Sequence, residues 1–175
     1  IRSCLVGSEM CIRDRLGGDL EIDYNRNQGN LKLINKVKEF ATVSQMIEFS
    51  TMLTTTNRET NRSLFTRIKT IDKKYPLYGE IVYEPADAFE RMHKELKTIL
   101  INESLSKTLK IEINEIVNIQ DQEFTVVGKI KSVPDVSGFV AFGDWALASE
   151  QTLDILKLNG IGSFLNYEYK VKFNQ

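Results

Sequence analysis

The single histidine, His93, is the first residue to test for catalytic chemistry. It lies between Met92 and Lys94 in a polar stretch. A catalytic histidine needs a nucleophile to activate or a carboxylate to orient it, and the sequence identifies neither. We therefore interpret His93 as a surface or hydrogen-bonded structural histidine.

The other residue types that could do chemistry also lack the necessary spacing. Gly17 and Gly18 match neither GxGxxG nor GxxxxGK[ST], so they indicate a hinge or the start of a strand rather than a phosphate-binding loop. Asp19, Glu21 and Asp23 alternate along one predicted strand and would share a solvated face, unlike the opposed carboxylates of a glycosidase. We predict no catalytic residue, no metal site and no cofactor, and so a protein that is not an enzyme.

Both cysteines, Cys4 and Cys11, lie in the unusual stretch "CLVGSEMCIRDR". They can be two ordinary or free thiols. The stretch also closely resembles a peptide produced when sequencing-adapter DNA is translated as coding sequence, as occurs at the ends of metagenomic reading frames. On that interpretation residues 1–15 are not native, the chain is a fragment, and deleting them changes stability little.

One aromatic cluster is the candidate interaction surface. Phe139, Phe142, Trp145 and Leu147 lie beside Gly138 and Gly143, which permit backbone adjustment. The cluster can be ordinary core packing or an apolar binding surface. Both interpretations remain open at this point.

Bulk properties limit the class of protein. The chain has 175 residues, 42% of them hydrophobic, and a formal net charge of -1. This suits one domain or two small subdomains, and gives no basic surplus for nucleic acid. No apolar run reaches the roughly 20 residues that span a bilayer as a helix.

Periodicity predicts an α+β fold with mostly antiparallel sheet. The predicted elements are a strand at 19–23, a helix at 31–41 capped by Asn30, a long hairpin at 43–72, a strand at 80–84, a helix at 86–97, a strand at 98–101, a helix at 103–109 capped by Asn102, two or three strands within 110–133, a strand-like stretch at 139–149, a helix at 150–159 capped by Ser149, and a closing strand at 164–173. In the closing strand, Tyr167, Tyr169 and Val171 should face the core, while Glu168, Lys170 and Lys172 should face solvent.

Four stretches of the chain are informative together, and they occur in the order "LGGDLEI", "IDKKYPLYGEI", "ILINESLSKTLKIEINEIVNIQDQEFTVVGKI" and "SFLNYEYKVKF". In this order they resemble the extracytoplasmic domains of ABC-transporter permeases of the MacB/FtsX-like superfamily, and the resemblance covers about residues 16 to 173. The most similar branch holds the large permeases predicted to accompany a lysophospholipase. Where the superfamily usually has Gly-Asp, this chain has Asn114-Glu115; Asn is the best replacement for Gly in a left-handed turn.

The resemblance implies a MacB-like periplasmic core with two subdomains. Residues 16–97 and 141–173 would form a porter-like α/β subdomain, and residues 98–140 an inserted β-rich subdomain. It also implies a location on the periplasmic side of the bacterial inner membrane.

The implied function is a non-catalytic domain that couples ATP hydrolysis in the cytoplasm to extraction or export of a lipophilic or lipoprotein cargo. The implied partners are a cytoplasmic ATP-binding subunit reached through membrane helices, a second permease copy or outer domain, and the cargo. The alternatives are a soluble periplasmic binding protein or enzyme, and an FtsX-type activator of cell-wall hydrolases.

Overall fold

The computed structural model describes residues 17–56, 62–134, 143–158 and 164–174. Residues 1–15, with both cysteines, lie outside the described residues, as do Phe139 and Phe142. Within the described ranges, no helix is long and apolar enough to cross a membrane.

The described chain forms one mixed sheet of nine strands with four short helices. The strands are β1 (Leu20–Asn25), β2 (Ala41–Thr55), β3 (Ser63–Ile71), β4 (Val82–Glu84), β5 (Thr98–Asn102), β6 (Ile116–Ile119), β7 (Gln122–Ser132), β8 (Trp145–Ser149) and β9 (Asn166–Phe173). The helices are α1 (Leu31–Val37), α2 (Ala88–Lys94), α3 (Glu103–Leu109) and α4 (Thr152–Ile155). The strand order is β1-β9-β2-β3-β8-β5-β7-β4, and β6 pairs with β2 and β7. Only the β3–β8 and β5–β7 pairs are parallel, so the predicted α+β class with a mostly antiparallel sheet is confirmed.

The long hairpin is the framework of the sheet. β2 and β3 pair antiparallel from Met46 opposite Ile71 to Thr54 opposite Ser63, as the density of β-branched and aromatic residues predicted. The other edge of β2 pairs with β9 from Ala41 opposite Phe173 to Glu48 opposite Asn166. The hairpin therefore connects the closing strand to the rest of the sheet.

Each face of the sheet buries its own core. On the first face, α1, α3 and α4 pack against residues such as Leu53, Ile68, Ile99, Phe124 and Tyr169. On the second face, α2 packs against a smaller cluster that includes Met46, Ile71, Tyr75, Trp145 and Leu147. Because both faces are covered, a strand in the middle of this sheet can be buried on both sides.

The expected division into two subdomains stays a prediction. β5 pairs with β8, and β6 pairs with β2, so residues from 98–132 share the sheet with both flanking parts of the chain. The first-face core also draws on both parts.

Several local predictions are confirmed and others need correction. The side chains of Asn30 and Asn102 accept hydrogen bonds from the backbone N–H of the third residue beyond each, as N-caps do. Ser149 does not cap a helix, because it is the last residue of β8 and α4 begins three residues later. Helix α1 ends at Val37, since the chain must turn to start β2 at Ala41; Phe40 is exposed as a result.

Candidate functional site

The structure describes two residues of the aromatic cluster, Trp145 and Leu147. For these two, the interpretation as an apolar binding surface is wrong. Trp145 is 6% exposed and Leu147 is 2% exposed, and both pack in the second-face core. The reason is their strand: β8 lies between β3 and β5, and all five of its residues are buried. Trp145 and Leu147 are core residues. That Phe139 and Phe142 belong to an apolar interaction surface stays a prediction.

His93 is half-buried on α2 and has the environment of a structural residue. Its ring meets the edge of Phe89 at a centroid distance of 4.8 Å. Its Nε2 atom makes no hydrogen bond within the described part of the chain. Burial, and then the positive charge of Lys73, lower the pKa of His93 below its usual value.

A buried ion cluster on the second face is the feature that the sequence analysis missed. Lys170 is fully buried, with its Nζ 2.7 Å from Glu21 Oε2 and 2.5 Å from Glu168 Oε1. Lys69 approaches the other oxygen of Glu168 at 3.5 Å and Glu48 at 3.8 Å. The prediction that Lys170 faces solvent is therefore wrong, although Tyr167, Tyr169 and Val171 do face the core.

The closing strand does alternate between apolar and polar side chains, as predicted. Its polar face, however, is buried at Lys170 instead of facing solvent. β9 lies between β1 and β2, and Glu21 stands opposite Lys170 in the register. A lysine in mid-strand becomes buried when a neighbouring strand supplies a carboxylate. The only signal in the sequence was the charge complementarity of Glu21 and Lys170, which lie 149 positions apart.

Asp23 adds a further carboxylate to this cluster, beside Glu21 and Glu168. Partial burial, and then the negative charges of Glu21 and Glu168, raise the pKa of Asp23 to about 6, while Lys170 acts in the opposite direction. Carboxylate oxygens of Glu21, Asp23 and Glu168 lie within 4.8 Å of one another, so this is the place among the described residues where a cation could be held. The ammonium of Lys170 already supplies a positive charge to two of the three.

A polar groove lies beside α3 and β7. Its lining residues are Glu84, Glu103, Ser106, Lys107, Lys110, Glu112 and Lys129. Lys107 pairs with Glu103 at 3.4 Å, and Lys129 pairs with Glu112 at 2.6 Å. The groove's charges largely neutralise one another, and the arrangement does not present a paired nucleophile and base.

The start of β1 and the end of β9 meet at one end of the sheet. The backbone N–H of Asp19 donates to the carbonyl of Val171 at 2.7 Å. The carboxylate of Asp19 in turn accepts from the backbone N–H of Phe173 at 2.9 Å. A Cβ atom on Gly18 would lie 3.0 Å from the Val171 carbonyl oxygen, so the glycine suits this close approach of strands. This fits the interpretation of Gly17 and Gly18 as the start of a strand.

Comparison with known proteins assigns the fold. No protein-family profile matches the sequence, and no curated protein matches it either. The fold is that of the periplasmic or extracellular regions of ABC-type transporter permeases.

Three solved structures illustrate this likeness. The periplasmic region of MacB from Actinobacillus actinomycetemcomitans has a TM-score of 0.56 and 15% identity, covering 92% of this chain and 78% of that one. A domain of a putative permease from Porphyromonas gingivalis has a TM-score of 0.57 and 14% identity, covering 80% and 66%. The extracellular domain of the noncanonic ABC-type transporter YknZ from Gram-positive bacteria has a TM-score of 0.53 and 13% identity, covering 89% and 84%. The MacB-like fold implied by the sequence resemblance is thereby confirmed.

Proposed function

We propose that this chain is the non-catalytic extracytoplasmic domain of an ABC-transporter permease. The observation that carries the proposal is the meeting of β1 and β9 at one end of the sheet, in a fold shared with the outer regions of such permeases. A domain inserted between two membrane helices needs its two connections close together. The domain would lie on the periplasmic side of the inner membrane.

The sheet is suited to transmit movement from these connections. β1 is hydrogen-bonded to β9 over six residue pairs, and β9 is bonded to β2 over eight. β2 is the longest strand, with 15 residues, and it also pairs with β3 and β6. A displacement of the two connections would move this sheet as a unit. In this proposal ATP hydrolysis by a cytoplasmic subunit supplies the displacement, which acts on a lipophilic or lipoprotein cargo together with a second permease copy or outer domain.

The absence of catalysis can be tested on the purified chain. Among the described residues, no nucleophile or carboxylate is hydrogen-bonded to His93 Nε2, and two ion pairs occupy most of the charges of the α3–β7 groove, so neither place pairs a nucleophile with a base. We expect no hydrolysis of ATP or of a lipid ester. Turnover that a single side-chain substitution abolishes would contradict the proposal.

The membrane assignment can be tested on the parent gene. Its product should carry an apolar helix of about 20 residues immediately before and soon after the domain. In spheroplasts, protease added from outside should cleave within the domain, and a cytoplasmic ATP-binding subunit should copurify with the intact protein. A reading frame that lacks both apolar helices would favour the soluble binding protein or enzyme instead.

A further inference from the structure

We propose that the end of the sheet where β1 and β9 meet carries a membrane-contacting collar, formed by Leu20, Phe40 and Phe173, which lies in the headgroup region of an anionic lipid bilayer. This inference rests on the proposed function and adds a partner surface to it. It assigns a role to apolar side chains that the core leaves exposed.

The collar is built from an exposed pair of aromatic rings. Phe40 and Phe173 are 54% and 43% exposed, and their rings stack with centroids 6.2 Å apart and planes 7° from parallel. Their backbones are fixed, because Ala41 pairs with Phe173 and the N–H of Asn174 donates to the Phe40 carbonyl at 3.3 Å. Leu20, 41% exposed, stands opposite Val171 one strand away. The alternation of β9 continues into Phe173 after the core has ended, so the three side chains form an apolar surface that the core leaves exposed.

The charge around the collar is basic. Five lysines lie in the segments that border it: Lys36, Lys38, Lys73, Lys74 and Lys172. The same segments contain three carboxylates, Asp19, Glu39 and Asp72, which the lysines outnumber. The ammonium of Lys74 donates to the Val43 carbonyl and that of Lys172 to the Leu77 carbonyl, and bonds to neutral groups leave these positive charges in place. Each lysine near an anionic bilayer contributes about 1 kcal/mol of attraction, which is screened by salt.

The position of the collar selects a bilayer as the occupant. If both connections enter the membrane, the start of β1 and the end of β9 are the parts of the domain closest to it. Aromatic and aliphatic side chains combined with lysines are the composition of surfaces that insert about 5–10 Å into the headgroup boundary. The collar has both.

The test places a tryptophan at the collar of the full chain, which is mixed with vesicles without a tether, because an attachment at the C-terminus would itself bring position 40 to the bilayer. In Phe40→Trp the new indole should be quenched by lipids brominated on the acyl chain when the vesicles contain phosphatidylglycerol. The matched control is Phe65→Trp, which replaces a phenylalanine that is 67% exposed near the β2–β3 hairpin end. The native Trp145 is buried and gives the same background in both proteins.

We expect quenching at position 40 to exceed that at position 65 severalfold on anionic vesicles, and to fall in high salt or on phosphatidylcholine vesicles. Lys38→Gln combined with Lys172→Gln should reduce it, whereas Lys107→Gln combined with Lys110→Gln in the α3–β7 groove should not. Thermal melts establish that each variant is folded.

Equal quenching at positions 40 and 65 would overturn the collar, and equal quenching on neutral and anionic vesicles would overturn the role of the lysines. Neither result affects the membrane topology of the parent protein. Conversely, if the parent protein had no membrane helices, the permease assignment would be refuted. The vesicle experiment would still measure whether the collar binds lipid, because it does not depend on those helices.

Discussion

Lys170 stands where an aliphatic side chain would ordinarily complete the second-face core. Its ammonium is compensated by Glu21 and Glu168, which are themselves mostly buried. Taking charges out of water is costly, and the mutual attraction offsets this only when all partners are present. The cluster therefore favours the native register of β1 against β9, because a shift of one residue would leave Lys170 without Glu21.

Removal of this ammonium should destabilise the fold strongly. We expect Lys170→Met to lower the free energy of unfolding by about 3–5 kcal/mol, since it leaves Glu21 and Glu168 without their main countercharge. Urea denaturation of the two proteins measures the difference. Lys172→Met, on the same strand but exposed, is the matched control and should cost less than about 1 kcal/mol. Similar costs for the two substitutions would show that the Lys170 ion pairs contribute little.

The raised pKa of Asp23 makes the stability of the fold depend on pH, and the direction of this dependence can be derived. The pKa of Asp23 is about 6 in the folded protein against an ordinary value of 3.8, so between these pH values the folded state holds a proton that the unfolded state has released. This group's contribution to stability therefore falls as the pH rises from about 4 to 6, and then levels off.

The substitution Asp23→Asn should remove the decrease in stability between about pH 4 and pH 6. We expect the variant to gain stability relative to the native chain between pH 4 and 6 and to keep the gain at pH 7 to 8, as measured by urea denaturation across this range. Asp87→Asn, at the N-cap of α2 and away from the cluster, controls for the loss of a carboxylate as such. If the gain were already complete at pH 4, a raised Asp23 pKa would not be its cause.

At the scale of elements, the Asn114-Glu115 turn confirms an expectation drawn from the sequence. Asn114 has a φ of 71°, in the left-handed region, and its N–H donates to the Val126 carbonyl at 2.7 Å. The Glu115 carboxylate accepts from the N–H of Glu112 at 2.9 Å, which closes the turn before β6. Asn114 thus adopts the left-handed conformation that was expected of a residue standing in for glycine.

This turn can be tested with two substitutions at one position. Asn114→Gly should leave the melting temperature nearly unchanged, because glycine adopts a positive φ without steric cost. Asn114→Val should cost about 1–2 kcal/mol, since a β-branched side chain is strained in this conformation. Calorimetry on both variants provides the measurement. A valine variant as stable as the glycine variant would mean that the turn relaxes to another conformation.

The elements that the sequence predicted well are those that local chemistry determines. The Asn30 and Asn102 caps depend only on neighbouring residues. The burial of Lys170 and Trp145 depends instead on which strands lie beside β9 and β8. Those neighbours are distant in sequence, so alternation alone could not distinguish a covered polar face from a solvated one.

At the scale of the whole molecule, the sequence pattern did not predict the strand order, and the resemblance implied only a MacB-like core. The central parallel contact of β3 with β8 joins residues almost 80 positions apart, and periodicity does not predict such pairing. The ion cluster likewise exists only because β1, β9, β2 and β3 are neighbours in this order. The candidate site is thus a product of topology, which explains why no motif marked it.

The meeting of β1 and β9 supports the proposed insertion between membrane helices, and a circular permutant tests it directly. We would join residue 174 to residue 17 with a flexible Gly-Ser linker of about six residues and open the chain at the exposed turn between Gln120 and Asp121. The hydrogen bonds of Asp19 with Val171 and Phe173 hold these ends side by side, so the permutant should fold with the native circular dichroism spectrum. The control has the same opening but a rigid helical linker of about 20 residues, which spans about 30 Å and should lower the melting temperature by forcing the ends apart. If the rigid linker were tolerated as well as the flexible one, the two ends would not be held together, and the geometry on which both the permease assignment and the collar depend would be lost.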